Sequence, residues 1–513
     1  MMSLTFMELL RLTFGLALLV GLGRAMLELL APTVAASASE RWGLAFLLGT
    51  GGISLAGWWL SPSFSHAPVQ WVTTLVILAT ITGALLWARP PAEVAAVVSA
   101  LRRAESERRK TVRGTTFAKG FGGQTKRETQ SRGPVEPRTS RDERAAIAAG
   151  VLLVALCGVV MVVSLRTPLG WDGVFNFEMK ARLALSNEPS GTIPIAYFAD
   201  VSRNWSHPQY PLLLPLTETW LYEWIGRPNQ AALKILFPLF YFSLVALFCA
   251  ALRRHFSQTW ALIGCVGLAL IPALTVGPGG ATTGYADVPL AAFVFGAISY
   301  ACGGLGHERR PQQLVLAATL SALAAWTKRE GLLLAGCLVG AVLAGYLLRV
   351  LRGSTDSARW KRAAFALALG PALVAIPWWV FQRRHGIPDA RDFLAVTPAT
   401  IEANISRLPV VAGLVGRELL RAGRWATLWP AFAVMTLFSI ASLHRSRIGL
   451  LTTMVVGPVG IYVAVFALSA WPSYQEHVGT ALPRLLLPLA PTAWLATLVG
   501  LRDVLRHPGA FRW

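Results

Sequence analysis

Predominantly apolar blocks of 16 to 24 residues recur along the chain, each about as long as a helix needs to cross a ~30 Å hydrocarbon layer. In that layer the backbone must satisfy its own hydrogen bonds, so only helices and closed barrels span it. Barrel strands would alternate in polarity over ~10 residues, and these blocks do not. An all-α polytopic membrane protein follows. Composition agrees, with 54% hydrophobic and only 14% charged residues, where soluble domains carry roughly a quarter. A soluble multidomain enzyme, a disulfide scaffold and a disordered chain are excluded.

About 13 transmembrane helices are predicted, near 9–30, 43–60, 69–88, 145–165, 229–252, 259–276, 284–304, 312–327, 331–350, 363–381, 425–443, 448–470 and 485–501. The first lacks a small-residue cleavage signature and reads as a retained span. Residues 89–144 hold 14 Lys+Arg against 7 Asp+Glu and turn rich in Gly, Ser, Thr and Pro. Such a segment buries too little apolar area to fold alone and is expected to be a flexible cytoplasmic linker. The expected organisation is a three-helix membrane appendage (1–88), the linker (89–144) and a ten-helix body (145–513).

The net charge of +21 has a topological reading, because Lys and Arg in short loops stay cytoplasmic; no nucleic-acid partner is implied. With the linker inside, loop 166–228 falls outside with five basic and six acidic residues. Loop 382–424 falls outside too, although it carries seven arginines against four acids. All five cysteines lie inside apolar blocks, so neither a disulfide framework nor thiol chemistry is expected. Gly120–Lys126 has glycines and a lysine but not the spacing of a phosphate loop, and the Asn204 and Asn404 sequons are short enough to arise by chance.

Loop 166–228 is too long for a connector. It opens with Trp171-Asp172-Gly173, continues through 174–183 as an amphipathic interfacial helix carrying Lys180 and Arg182, and later reads His207-Pro208-Gln209-Tyr210. Alone, Asp172 reads as a loop carboxylate paired with Lys180 or Arg182, and His207 as a packed histidine. Asp287 opens an apolar span, where an ionisable group is costly unless paired or facing water. Lys328 and Glu330 sit in a tight turn between two spans, and Arg484 at the edge of the last. The pattern outweighs its members: Asp172, Asp287, Lys328, Glu330 and Arg484 share one expected face of the membrane. A carboxylate that takes a proton, beside cations that neutralise a departing phosphate, suits group transfer from a lipid phosphate.

At these residues the chain resembles the GT-C superfamily of polytopic glycosyltransferases, in the branch of bacterial protein O-mannosyltransferases and the lipid A aminoarabinose transferase. The resemblance spans about 145–500. It rests on Trp171-Asp172 with Lys180-Ala181-Arg182, on His207-Pro208 with Tyr210-Pro211, on Gly284-Tyr285-Ala286-Asp287, on Thr327-Lys328-x-Glu330-Gly331 and on Arg484-Leu-Leu-Leu-Pro488. It implies inverting transfer from a polyprenyl-phosphate sugar at the outer face of a bacterial inner (cytoplasmic) membrane to an envelope glycan, lipid or protein, with Asp172 as catalytic base. Lys180, Arg182, His207, Tyr210, Asp287, Lys328, Glu330 and Arg484 would contact substrate. Protein mannosyltransferases carry Asp-Glu where this chain has Asp172-Gly173, which weighs against a protein acceptor. Metal-dependent relatives would use Asp172 and Asp287 as ligands of a divalent ion. The alternative is a transporter or flippase of a lipid-linked or small anionic substrate, which calls for ionisable residues deep within the spans.

Overall fold

The computed structural model describes residues 4–35, 37–59, 140–187, 193–306, 311–354, 356–389, 392–439 and 447–506, with Ile77, Ala79, Thr80 and Gly83. The expected span 69–88 lies mostly outside the described residues. Linker residues 89–139 and the Gly120–Lys126 motif lie wholly outside them.

Every regular element among the described residues is helical. The principal ones are α1 Phe6–Leu30, α2 Ala38–Trp59, α3 Ser140–Arg166, α4 Met179–Ser186, α5 Leu213–Ile225, α6 Leu236–Arg253, α7 Gln258–Ala269 and α8 Asp287–Gly304. They continue with α9 Pro311–Thr327, α10 Arg329–Leu351, α11 Ser357–Arg384, α12 Leu408–Leu419, α13 Leu428–Phe438, α14 Arg447–Ala467, α15 Tyr474–Leu486 and α16 Ala490–Arg506. Eight stretches are long and apolar enough to cross a membrane: α1, α3, Gln230–Arg253 around α6, α8, α10, α11, α14, and the bent pair α15–α16. The chain is a multi-pass helical membrane protein.

Proline accounts for two departures from the expected spans. The block 259–276 breaks at Leu270–Ile271, because Pro272 forces Ile271 into extended backbone. The helix α7 that remains, 12 residues long, reaches only about 18 Å. The last span begins earlier than expected, at Tyr474, and is interrupted by a 3₁₀ turn at Leu487–Leu489 containing Pro488. Helix α3 begins within the expected linker, where Asp142 and Glu143 occupy its first turn and suit the helix dipole.

Burial orders the bundle. Helix α8 is 89% buried across its apolar window and α3 only 11%, so α8 is the axis and α3 lies outermost. Ile147, Val151, Leu152, Val154, Val159 and Val162 of α3 are exposed, as a lipid-facing surface should be. Helices α6 and α9 flank α8.

Polar contacts mark two ends of the bundle. At one end Glu40 of α2 accepts from Arg254 Nη2 at 2.9 Å and from Tyr300 Oη at 2.7 Å, and Thr33 donates to Gln312 at 2.7 Å. At the other end Glu8 meets Arg227, and Trp378 Nε1 and Gln382 Nε2 donate to the Gln209 carbonyl at 3.2 and 2.8 Å. The arginine-rich loop 392–425 packs at this second end, where Leu394 N–H donates to the Leu468 carbonyl at 2.8 Å. Arg407 there donates to the Ser469 carbonyl at 3.1 Å and lies over the Tyr474 ring. Helices α1 and α2 are stitched into the body: Trp220 Nε1 donates to the Gly15 carbonyl at 3.1 Å, and Trp326 Nε1 to Ser54 Oγ at 2.8 Å.

Candidate active site

The site forms where four stretches distant in sequence meet. The end of α3 is sewn to the turn before α8: Thr167 Oγ1 donates to the Thr282 carbonyl at 3.1 Å and Gly170 N–H to the Thr283 carbonyl at 2.8 Å. This seam sets Asp172 beside Asp287. Small residues permit it, since a Cβ on Gly173 would lie 2.7 Å from the Gly284 carbonyl oxygen. Gly279, in the left-handed region at φ +84°, lets the turn pass against the Asp287 carboxylate. The α9–α10 turn delivers Lys328 as the N-cap of α10, and a Cβ on Gly331 would collide with the Ala324 carbonyl. Helix α15 brings Arg484.

One guanidinium joins two carboxylates. Arg484 Nη2 donates to Asp172 Oδ2 at 2.5 Å and Nε to Asp287 Oδ2 at 2.9 Å. Lys328 Nζ donates to Asp287 Oδ1 at 2.9 Å and sits 3.0 Å from Glu330 Oε1. Asp287 and Lys328 form the floor, with side chains 1% and 5% exposed, while Asp172, Arg484 and Glu330 form a rim at 18–22%. Burial alone would pull the Lys328 ammonium down, but Asp287 and Glu330 override it and hold Lys328 above its ordinary value. Arg484 also lies over the Tyr285 ring, 4.6 Å from its centroid.

His207 and Tyr210 adjoin this cluster. Their rings stack at 4.5 Å with 11° between planes, and His207 takes the left-handed backbone region at φ 48°, uncommon for a non-glycine residue. Burial pushes the His207 imidazole down, opposed chiefly by Asp392. Burial, and then the charge of Glu330, push the Tyr210 phenol up. Several buried polar atoms find no partner among the described residues: Glu330 Oε2, Gln209 Oε1 and Tyr462 Oη. Orphaned groups of this kind call for a ligand or water.

Lys180 and Arg182 do not join the Asp172 cluster, and neither pairs with Asp172 as a lone loop carboxylate would have it. Residues 173–178 form a π-helical turn that runs into α4 and rotates both cations away. Lys180, fully buried, donates to the carbonyls of Asn176 at 2.7 Å and His207 at 2.9 Å. Arg182 Nε donates to Glu178 at 2.5 Å, and Tyr222 Oη donates to the same oxygen at 2.7 Å. Beside them Glu218 is fully buried with neither carboxylate oxygen bonded. Burial raises its carboxyl far above the usual range, with Glu178 adding to the rise. Burial lowers the Lys180 ammonium to about 7, against the pull of Glu218. Lys180 thus holds His207 through its backbone and has no reach to the rim. Sequence reasoning missed Glu218 and gave Tyr285 no role beyond its place in the Gly284–Asp287 string. An acid within the apolar run 212–225 was the available signal for the first; Tyr285 stands two residues before Asp287.

Asp172 and Asp287 were the pair implied for a divalent metal. Both bond Arg484, and no group of three or more His, Cys, Asp or Glu side chains fit to hold a metal forms among the described residues. The residues do not fit a metal as they stand, and no step below is routed through one. Chemically the cluster offers a proton acceptor, two cations and unfilled acceptors at the rim of a bilayer-sized bundle. Comparison of the chain with protein-family models, with curated proteins and with solved structures finds no match.

Proposed function

We propose that the chain is an inverting membrane glycosyltransferase of the GT-C type, moving a sugar from a polyprenyl phosphate to an acceptor at the membrane face where Asp172 lies. The observation that supports it most is the bridge from Asp172 through Arg484 to Asp287, with Lys328 beneath. Such a transfer needs a base for the acceptor and cations for the phosphate, within about a sugar's breadth of each other.

The bridge also supplies a sequence of events. Arg484 bonds the two aspartates through Nε and Nη2, and Nη1 has no partner among the described residues. The anionic phosphodiester of the donor competes for this guanidinium, and Arg484 turning toward it frees Asp172. The acceptor oxygen or nitrogen then attacks the anomeric carbon opposite the phosphate. The carbon–oxygen bond to phosphate breaks, both electrons leave with polyprenyl phosphate, the acceptor's proton passes to Asp172, and configuration inverts. Glu330 Oε2 is an open acceptor for a sugar hydroxyl. The exposed rings of Trp171 and Trp205, joined through Phe175 at 4.3 and 5.3 Å, form an aromatic ridge next to Asp172, suited to the lipid interface where a tail would lie.

Asp172→Asn tests the proposal. Release of free polyprenyl phosphate from a polyprenyl-phosphate sugar should fall by about 100-fold or more, with the melting temperature retained. Wild-type release by this variant overturns the assignment. Movement of intact lipid-linked sugar across a vesicle membrane, without release of polyprenyl phosphate, is what the transporter reading expects instead.

A further inference from the structure

A cleft lies at the same end of the bundle, separate from the Asp172 cluster. It encloses about 460 Å³ and is lined by Arg166, Pro168, Arg182, Arg227, Asn229 and Lys234, among others. Four cations line it, and among the described residues two carboxylates answer them: Glu178 on Arg182 and Glu8 on Arg227. Arg166 is exposed at the end of α3 and pairs with no carboxylate among the described residues. The buried Lys234 ammonium bonds only neutral oxygens, the Pro168 carbonyl at 3.2 Å, Thr167 Oγ1 at 3.5 Å and the Thr282 carbonyl at 2.5 Å. Among the described residues an excess of two positive charges therefore stands over the cleft.

The second observation is a donor without an acceptor. Asn229 is 5% exposed, and its Oδ1 accepts from Ala232 N–H at 3.1 Å as a helix cap. That bond fixes the amide orientation and leaves Nδ2 buried with no partner. A buried amide N–H left unpaired beside excess positive charge calls for an anionic oxygen. We infer that this cleft binds a phosphate-class anion, with Arg166 and Asn229 Nδ2 donating to its oxygens and Lys234 supplying field. Guanidinium and amide donors suit a tetrahedral oxyanion, and the volume leaves room for the organic part of a phosphate ester. The inference stands whether or not Asp172 acts as a base.

Two sources of that chemistry are distinguishable. The full chain, purified in uncharged detergent, is titrated with sodium phosphate against sodium chloride at equal ionic strength. It is also placed in nanodiscs of phosphatidylcholine alone or with phosphatidylglycerol. Thermal unfolding reports binding in both arms. The variants are Arg166→Gln, which removes an exposed cation, and Asn229→Asp, which keeps an oxygen to cap Ala232 but replaces the donor with a negative charge. Phosphate should raise the wild-type melting temperature, with apparent affinity about tenfold weaker in each variant, since one charge-assisted hydrogen bond is worth roughly that factor. The same pattern confined to phosphatidylglycerol nanodiscs assigns the site to a lipid headgroup. Wild type responding to neither probe, or both variants responding as wild type does, overturns the inference.

Discussion

A carboxyl buried without partners behaves unlike the ion-paired carboxylates of the candidate site. Glu218 holds its proton to higher pH than a free carboxyl, because it is buried with no hydrogen-bond partner among the described residues, whereas Asp172 and Asp287 are ion-paired to Arg484. A folded-state value raised above the unfolded 4.5 contributes stability that is complete below pH 4.5 and is lost as pH rises through the folded value. Lys180 contributes oppositely, its lowered value of about 7 relieving a penalty only between pH 7 and 10.5. In the window from pH 4.5 to 7 Glu218 acts together with Glu223, whose carboxyl burial raises to about 7. Glu218→Gln, which preserves shape and neutrality, should leave melting at pH 7 within about 1 kcal/mol of wild type and reduce the decline from pH 4.5 to 7. Melting curves of both proteins across that range decide it; parallel slopes would show that Glu218 ionises freely in the folded protein.

Among the elements, the α9–α10 turn has least room for change. Gly331 packs against the Ala324 carbonyl so closely that a methyl group has no space, and neither atom is a flexible side-chain end. Gly331→Ala should cost about 1–3 kcal/mol and displace Lys328 from Asp287, lowering melting temperature and transfer together; a fully active, equally stable variant would mean the turn relaxes at no cost. Such turns explain what was legible in the sequence. Apolar block length located most helices, because a bilayer imposes one length on every crossing. The positions of Asp172, Asp287, Lys328 and Arg484 at block ends showed that they could share one face. The partners of Lys180 and Arg182 were hidden, because a π-helical turn at 173–178 changes which way successive side chains face and leaves no periodic signature. The interruptions at Pro272 and Pro488 were written in the sequence, yet apolar runs on both sides masked them.

For the molecule as a whole, Glu40 measures how far the N-terminal helices belong to the body. It lies 2% exposed between Arg254 and Tyr300, tying α2 to α6 and α8. Removing one partner of a buried ion pair is costly, and Arg254 retains partial access to water. Glu40→Ala should therefore lower stability by about 1–3 kcal/mol, read as one cooperative melting transition shifted downward. An unchanged midpoint is what a loosely attached appendage would give. The contact between Arg484 and Asp172 joins residues 312 positions apart. At the roughly 5–20 residues per second of protein synthesis, Asp172 leaves the ribosome about 16–60 s before its arginine exists. Lys328 reaches Asp287 after only 41 positions. The nascent chain thus inserts most of its helices while one aspartate waits for its counter-charge, and the site closes only when the bent span α15–α16 enters the bilayer.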